Sequence, residues 1–375
     1  MASDHFFRAR GAWSQRPAML LPGILALLLA VPNVARAAEL EAGASEAVRV
    51  AFAHGGRERA YFLWAPTGER AGRVPLVLVL HGGGGNGENV QEMTGFTAVA
   101  RREGFAVAYP EGTGRLGRLL TWNAGHCCGY AMSEGVDDVG FLTALVERLV
   151  ADGLVDPARV YVTGMSNGAM MAHRMGAEAS AHVAAIAPVV GGLFGDERRP
   201  SVPVSALLIN GALDRSIPVD GGQTGGRFAN AWDGTPLRPV AFQGDFWASA
   251  NGCRDAGREV VRGVVRERTA ICPPGVAVRS LLLHDNGHAW PGGQPGSARG
   301  DVPSTAIDAT EVIWAFFLAH PRGLPIPGDG CARPSVRQRM AAGMRAAAEA
   351  GAGSTAGSAG QAQVRAASGV RSQGP

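Results

Sequence analysis

The five cysteines include no Cys-x-x-Cys pair, and the chain has no lysine at all. The first absence argues against a zinc site. His284 and His288 have His-x-x-x-His spacing, but they fall at a strand end and in a glycine loop, not on a helix, and no cysteine pair completes a ligand set. No metal and no other cofactor is expected. The 35 basic residues are therefore all arginine, and they are unevenly placed. Four arginines against Asp4 give residues 1–37 a net charge of +3, and six against Glu349 give residues 333–375 a net of +5. The stretch between them carries about −5, because the whole chain is only +3. A slightly acidic core gives no reason to expect a nucleic-acid partner. No internal repeat is visible, and no stretch beyond residue 37 is long and apolar enough to cross a bilayer.

What is present begins with a targeting pattern. Arg8, Arg10 and Arg16 precede the apolar run Ala18–Val31, which falls short of the ~18 residues needed to span a membrane. Ala35-Arg36-Ala37 has the small-x-small form of a cleavage site. Residues 1–37 thus read as a cleaved signal peptide, and the mature protein is expected to be secreted or periplasmic, without a membrane partner. From Cys331 onward the chain is rich in Ala, Gly, Ser, Gln and Arg and has no aromatics, so residues 331–375 are expected to be a disordered tail. Oligomeric state is not legible. Export permits disulfides. Cys253, after a helix over Phe246–Asn251, is expected to pair with Cys272, at the end of a strand. Cys127 and Cys128 are adjacent, and Cα atoms about 3.8 Å apart are closer than disulfides prefer. One of them can pair with Cys331 instead, and that choice stays open.

Hydrophobic residues make up 46 % of the chain, enough for a substantial core, and 54 glycines imply many turns. Ala47–Phe52 and Ala60–Ala65 read as two short strands around a Gly55-Gly56 turn. Arg73–Leu80, Phe105–Tyr109, Arg159–Thr163, His182–Val190, Ala206–Asn210 and Val276–Leu283 read as strands, most of them buried on both faces. Val136–Ala151, Asn167–Ala177 and Ser304–Leu318 have helical spacing, the last with Ser304 as N-cap. Alternating strands and helices imply a mostly parallel sheet flanked by helices, with the first hairpin as an antiparallel edge.

Gly164-Met165-Ser166-Asn167-Gly168 lies between a strand and a helix, the setting in which a strained turn lifts a serine hydroxyl off the end of a sheet. Such a serine needs a base. Asp214 follows the strand ending at Asn210, and His288 lies in the glycine-rich loop after the last strand. Both sit at carboxyl ends of strands, and the order Ser, acid, His is the one this arrangement uses. His284 is the rival base; His126 and His173 fit the order poorly, and Asp220 and Asp285 are weaker rivals for the acid. His81-Gly82-Gly83-Gly84 follows the first buried strand and offers backbone donors for an oxyanion. One donor is assigned to Gly82 or Gly83 and the second to the Asn167 amide. Trp122 and Trp290 are candidates for lining the acyl pocket. Asp137 and Asp138 are read as negative charge opening a helix, not as a paired-carboxylate site.

His81-Gly-Gly, Trp122-Asn-Ala-Gly125, Cys127-Cys-Gly129, Val136–Phe141, Arg159-Val-Tyr161, Gly164–Gly168 and Gly287–Gly293 together resemble the esterase family of polyhydroxybutyrate depolymerases, related to feruloyl and acetylxylan esterases. The resemblance runs from about Ala47 to His320. It implies an α/β-hydrolase catalytic domain over 38–330, with Ser166, Asp214 and His288 as its triad and an ester as substrate. Feruloyl or acetylxylan esterase is the alternative activity. A peptidase on the same fold lacks an evident cluster for a charged peptide terminus, and a non-catalytic binding protein is disfavoured by the intact triad order.

Overall fold

The computed structural model describes residues 47–67, 72–117, 119–225 and 229–323. The expected signal segment and the expected tail, with Cys331, lie outside them. The described chain runs β1 (Val48–His54), β2 (Arg57–Trp64), β3 (Val74–Leu80), α1 (Gly87–Thr94), α2 (Phe96–Glu103), β4 (Ala106–Pro110), α3 (Gly129–Ser133), α4 (Asp138–Ala151), β5 (Val155–Met165), α5 (Asn167–Glu178), β6 (Ala185–Val189), β7 (Ser205–Gly211), α6 (Val240–Ala250), β8 (Arg254–Arg262), β9 (Val265–Ile271), β10 (Val278–Leu283) and α7 (Ala309–Ala319). The strands form one sheet in the order β1-β2-β4-β3-β5-β6-β7-β10-β9-β8. From β4 to β10 the pairs are parallel, and each edge is finished by antiparallel strands. This is the expected α/β-hydrolase architecture.

The apolar runs explain the central strands. Every residue of β3, β4, β6 and β7 is buried, as a strand covered by helices on both faces requires. Leu76, Leu78 and Leu80 face α4, α5 and α6 through Phe141, Leu145, Met171, Met175 and Trp247. Val77 and Val79 face the other layer, where Val90, Phe96, Trp314 and Phe317 of α1, α2 and α7 pack. Each such side chain contributes about 1.5–3 kcal/mol by leaving water. Gly55 and Gly56 both take positive φ, which a two-residue hairpin turn between β1 and β2 demands.

Two expectations are corrected. The last helix begins at Ala309, not Ser304, because the Asp308 side chain accepts the Glu311 amide and caps it. Ser304 is instead buried, and its Oγ accepts the Ala306 amide. The helix before Cys253 starts six residues earlier than expected, at Val240. The segment after it is a full β8–β9 hairpin extending the sheet, with a disulfide joining Cys253, before β8, to Cys272, after β9. Closing that loop contributes about 3 kcal/mol in the chain-entropy model. Cys127 and Cys128 are bonded to each other, across a cis peptide bond.

Candidate active site

β5 ends at Met165 and α5 starts at Asn167, so Ser166 occupies the single residue between them. It has φ 58° and ψ −120°, a conformation a non-glycine residue adopts only when its surroundings hold it there. Its amide donates to the Val189 carbonyl at 3.0 Å, and its carbonyl accepts the Met170 amide at 3.0 Å to open the helix. The turn has no room for side chains. A Cβ on Gly164 would lie 2.7 Å from the Leu80 oxygen, and one on Gly168 would overlap the Leu80 and His81 carbonyls.

The three residues expected to act together are brought together. Ser166 Oγ lies 2.8 Å from His288 Nε2, and His288 Nδ1 lies 2.7 Å from Asp214 Oδ2. A carboxylate only accepts, so Nδ1 carries the proton and Nε2 is free to accept from the serine hydroxyl. The Asp214 side chain is 1 % exposed and that of His288 21 %. The other Asp214 oxygen accepts the Ser216 and Ile217 amides, both at 2.8 Å, which fixes the carboxylate in its loop. The His288 loop is pinned by Asn286, a buried residue the sequence did not single out. Its Nδ2 donates to the Gly287 and Ala289 carbonyls, and its Oδ1 accepts the Ser304 amide. Asp301, also missed, accepts the His288 amide at 2.7 Å.

The glycine loop stands over the serine. A Cβ on Gly82 would lie 3.6 Å from the Ser166 Cβ, and one on Gly83 would lie 3.8 Å from the Asn167 Cβ. The amides of Gly82 and Gly83 donate to no acceptor among the described residues. Asn167 is the first residue of α5, so its amide has no intrahelical acceptor either. His81 braces this loop. Its Nε2 accepts the Gly112 amide at 3.0 Å, which leaves the proton on Nδ1 to donate to the Gly82 carbonyl at 2.8 Å. Complete burial pushes its pKa down to about 4, so the imidazole is neutral wherever the enzyme would work.

Trp122 and Trp290, expected at the acyl pocket, are both fully buried. Trp122 donates from Nε1 to the His81 carbonyl at 3.0 Å, and its backbone is clamped by the Asn167 side chain at 2.7 and 3.0 Å. Trp290 donates to Thr310 Oγ1 and packs edge-on against Phe96. Both are tied to the loops that carry the site, Trp122 to the segment of His81 and Asn167 and Trp290 to the start of α7. A cleft of 830 Å³ beside Gly84 and Gly85, lined by Arg49, Phe52, Glu111 and Leu120, includes none of Ser166, Asp214 or His288.

Asp137 and Asp138 divide the role given to the pair. Asp137 caps α4 by accepting the Gly140 amide. Asp138 is fully buried, 2.7 Å from Arg59, and accepts the Asn123 amide beside Trp122. Burial raises its pKa from the ordinary carboxylate value despite the arginine.

Residues 59–222 match the family model described as Esterase PHB depolymerase. The chain is 36 % identical over 254 residues to NocK of Nocardia uniformis subsp. tsuyamanensis, covering 64 % of this chain and 72 % of NocK. It is 30 % identical over 272 residues to feruloyl esterase C of Emericella nidulans, covering 70 % of this chain and 84 % of that one. The chain belongs to the PHB depolymerase esterase family. Poly(3-hydroxybutyrate) depolymerase of Ralstonia pickettii is 27 % identical over 351 residues, 82 % of this chain and 66 % of its own. Ser166 and Asp214 fall inside the span matched by the family model, and His288 lies beyond it.

Among the described residues, the rival histidines of this esterase make no hydrogen bond to the serine and have other partners or surroundings. His284 is exposed, at the end of β10. His173 is buried in α5, accepting from Trp247 Nε1 and donating to Gln243 Oε1. His126 links two loops, with Nδ1 2.7 Å from Asp233 and Nε2 2.9 Å from Asp196. Donating to both carboxylates requires the imidazolium. Partial burial lowers its pKa, but the two bonds outweigh that and hold it above 6.5. The contribution to stability is therefore complete below the unfolded value near 6.5 and is lost as pH rises through the higher folded value. His126→Gln is expected to lower Tm by roughly 2 °C at pH 5.5 and negligibly at pH 9, as partly exposed pairs are worth about 0.2–1 kcal/mol. Thermal melts of both proteins at the two pH values check this.

Proposed function

We propose that this protein is an exported serine carboxylic ester hydrolase of the polyhydroxybutyrate depolymerase type, acting through an acyl-enzyme on soluble esters or short oligomers. The observation that carries the reading is the relay from Ser166 Oγ to His288 Nε2 and from Nδ1 to Asp214, at 2.8 and 2.7 Å. Ser166 Oγ attacks the ester carbonyl as its proton passes to His288. Asp214 keeps the imidazole in the accepting tautomer and stabilises the imidazolium. The developing oxyanion is met by the amide of Asn167 and that of Gly82 or Gly83. His288 then returns the proton to the leaving alcohol. Water, deprotonated by the same imidazole, attacks the acyl carbonyl and frees the acid, restoring Ser166 Oγ–H.

Export, the division into a signal at 1–37, a catalytic domain at 38–330 and a tail at 331–375, and a secreted or periplasmic location belong to the same proposal. The Cys253–Cys272 disulfide supports the export and the location, because such bonds persist in oxidising compartments. No helix among the described residues is long and apolar enough to cross a membrane.

The second reading is a feruloyl or acetylxylan esterase, favoured by the match over 84 % of feruloyl esterase C. Initial rates on 3-hydroxybutyrate trimer, methyl ferulate and acetylated xylan separate the two. The trimer is expected to turn over fastest, and a crystalline polyhydroxybutyrate film to lose little weight, with or without residues 333–375. A rate on methyl ferulate above that on the trimer would shift the assignment to the second reading. Rapid film erosion by the truncated protein would show that the core adsorbs unaided.

A further inference from the structure

His288 is held by two carboxylates, and the proposed mechanism uses one. Asp214 takes the imidazole Nδ1 proton, while Asp301 Oδ2 accepts the backbone amide of the same residue at 2.7 Å. A hydrogen bond to an ionised acceptor is short and about twice as strong as a neutral one. The site is shaped to admit it. A Cβ on Gly287 would lie 2.8 Å from Asp301 Cγ and 3.0 Å from its Cβ, so the carboxylate reaches the amide only because residue 287 has no side chain. The segment carrying Asp301 is itself tied to the His288 loop, Ser304 N to Asn286 Oδ1 at 2.9 Å and Gly292 N to Ser304 O at 2.8 Å. Asp301 nevertheless lies at the surface, so core packing does not account for the placement of its charge.

We propose that Asp301 is a positioning residue for the base: its carboxylate fixes the His288 backbone so that the imidazole stays in line with Ser166. This rests on the reading of His288 as the base. The imidazole itself is hydrogen-bonded to Asp214, from the loop after β7, and to Ser166, from the turn before α5, while Asp301, from the segment before α7, meets the backbone of the same residue.

The test measures kcat and KM of the full chain on p-nitrophenyl acetate at one fixed pH. Asp301→Ala is expected to lower kcat on the order of tenfold, since small displacements of a catalytic group are costly, with KM within about twofold. Asp301→Asn keeps an oxygen for the amide, so it should recover most of kcat. Gly287→Ala, which pushes the carboxylate aside, should resemble Asp301→Ala. The proposal is overturned if Asp301→Ala and Gly287→Ala keep kcat within twofold, if Asp301→Asn loses as much kcat as Asp301→Ala, or if Asp301→Ala lowers only Tm. Failure of the wider reading is visible separately, as an active Ser166→Ala protein.

Discussion

Ser166→Ala is expected to reduce ester hydrolysis by roughly 10⁴-fold or more in kcat, with little change in Tm. The hydroxyl is the atom asked to attack, and the turn around it is held by backbone bonds to Val189 and Met170 that alanine keeps. His288→Ala should cost nearly as much, because members of a relay act as a unit and a lone serine hydroxyl is a poor nucleophile. His284→Ala should leave kcat within about twofold, since that side chain is exposed and outside the relay. Loss of activity in His284→Ala but not in His288→Ala would reassign the base.

Asp214→Asn is the second large effect, about 10⁴-fold in kcat with the fold retained. An asparagine can still accept the Ser216 and Ile217 amides that hold Asp214 Oδ1. It then presents its NH₂ group to His288 Nδ1, which must accept. The ring proton moves to Nε2, where it faces Ser166 and can no longer take the hydroxyl proton. KM on a soluble ester should change little, because Asp214 is 6 % exposed and behind the imidazole. A drop confined to KM would show that the residue binds substrate instead.

Much of this was legible because the signals are local. β3, β6 and β7 are continuous apolar runs, and only a strand covered on both faces needs that pattern. Ser166 announces itself by flanking glycines whose side chains would meet Leu80 and Gly168. Asp214 and His288 followed from chain order and from lying past strand ends. Other features depend on partners far away in sequence. Asp138 reads like its neighbour Asp137, yet its buried partner is Arg59, on β2. Trp122 and Trp290 are near the site in sequence, but nothing local says which way a ring turns, and both turn inward. Asp301 and Asn286 act through backbone amides and carbonyls, which leave no residue-type signature in the residues they hold. α1 and α2 are eight-residue helices separated by Gly95 in a left-handed conformation, too short for periodicity to mark.

The central claim is that Ser166 is the nucleophile of an ester hydrolase. Its most direct test is the mass of the protein after treatment with a fluorophosphonate, followed by peptide mapping. The account predicts one adduct per chain, on the peptide containing Ser166, with parallel loss of activity toward soluble esters. Labelling should be slowed strongly in His288→Ala. An unlabelled Ser166 in protein that has lost its activity to the reagent, or an adduct on another residue, would contradict it.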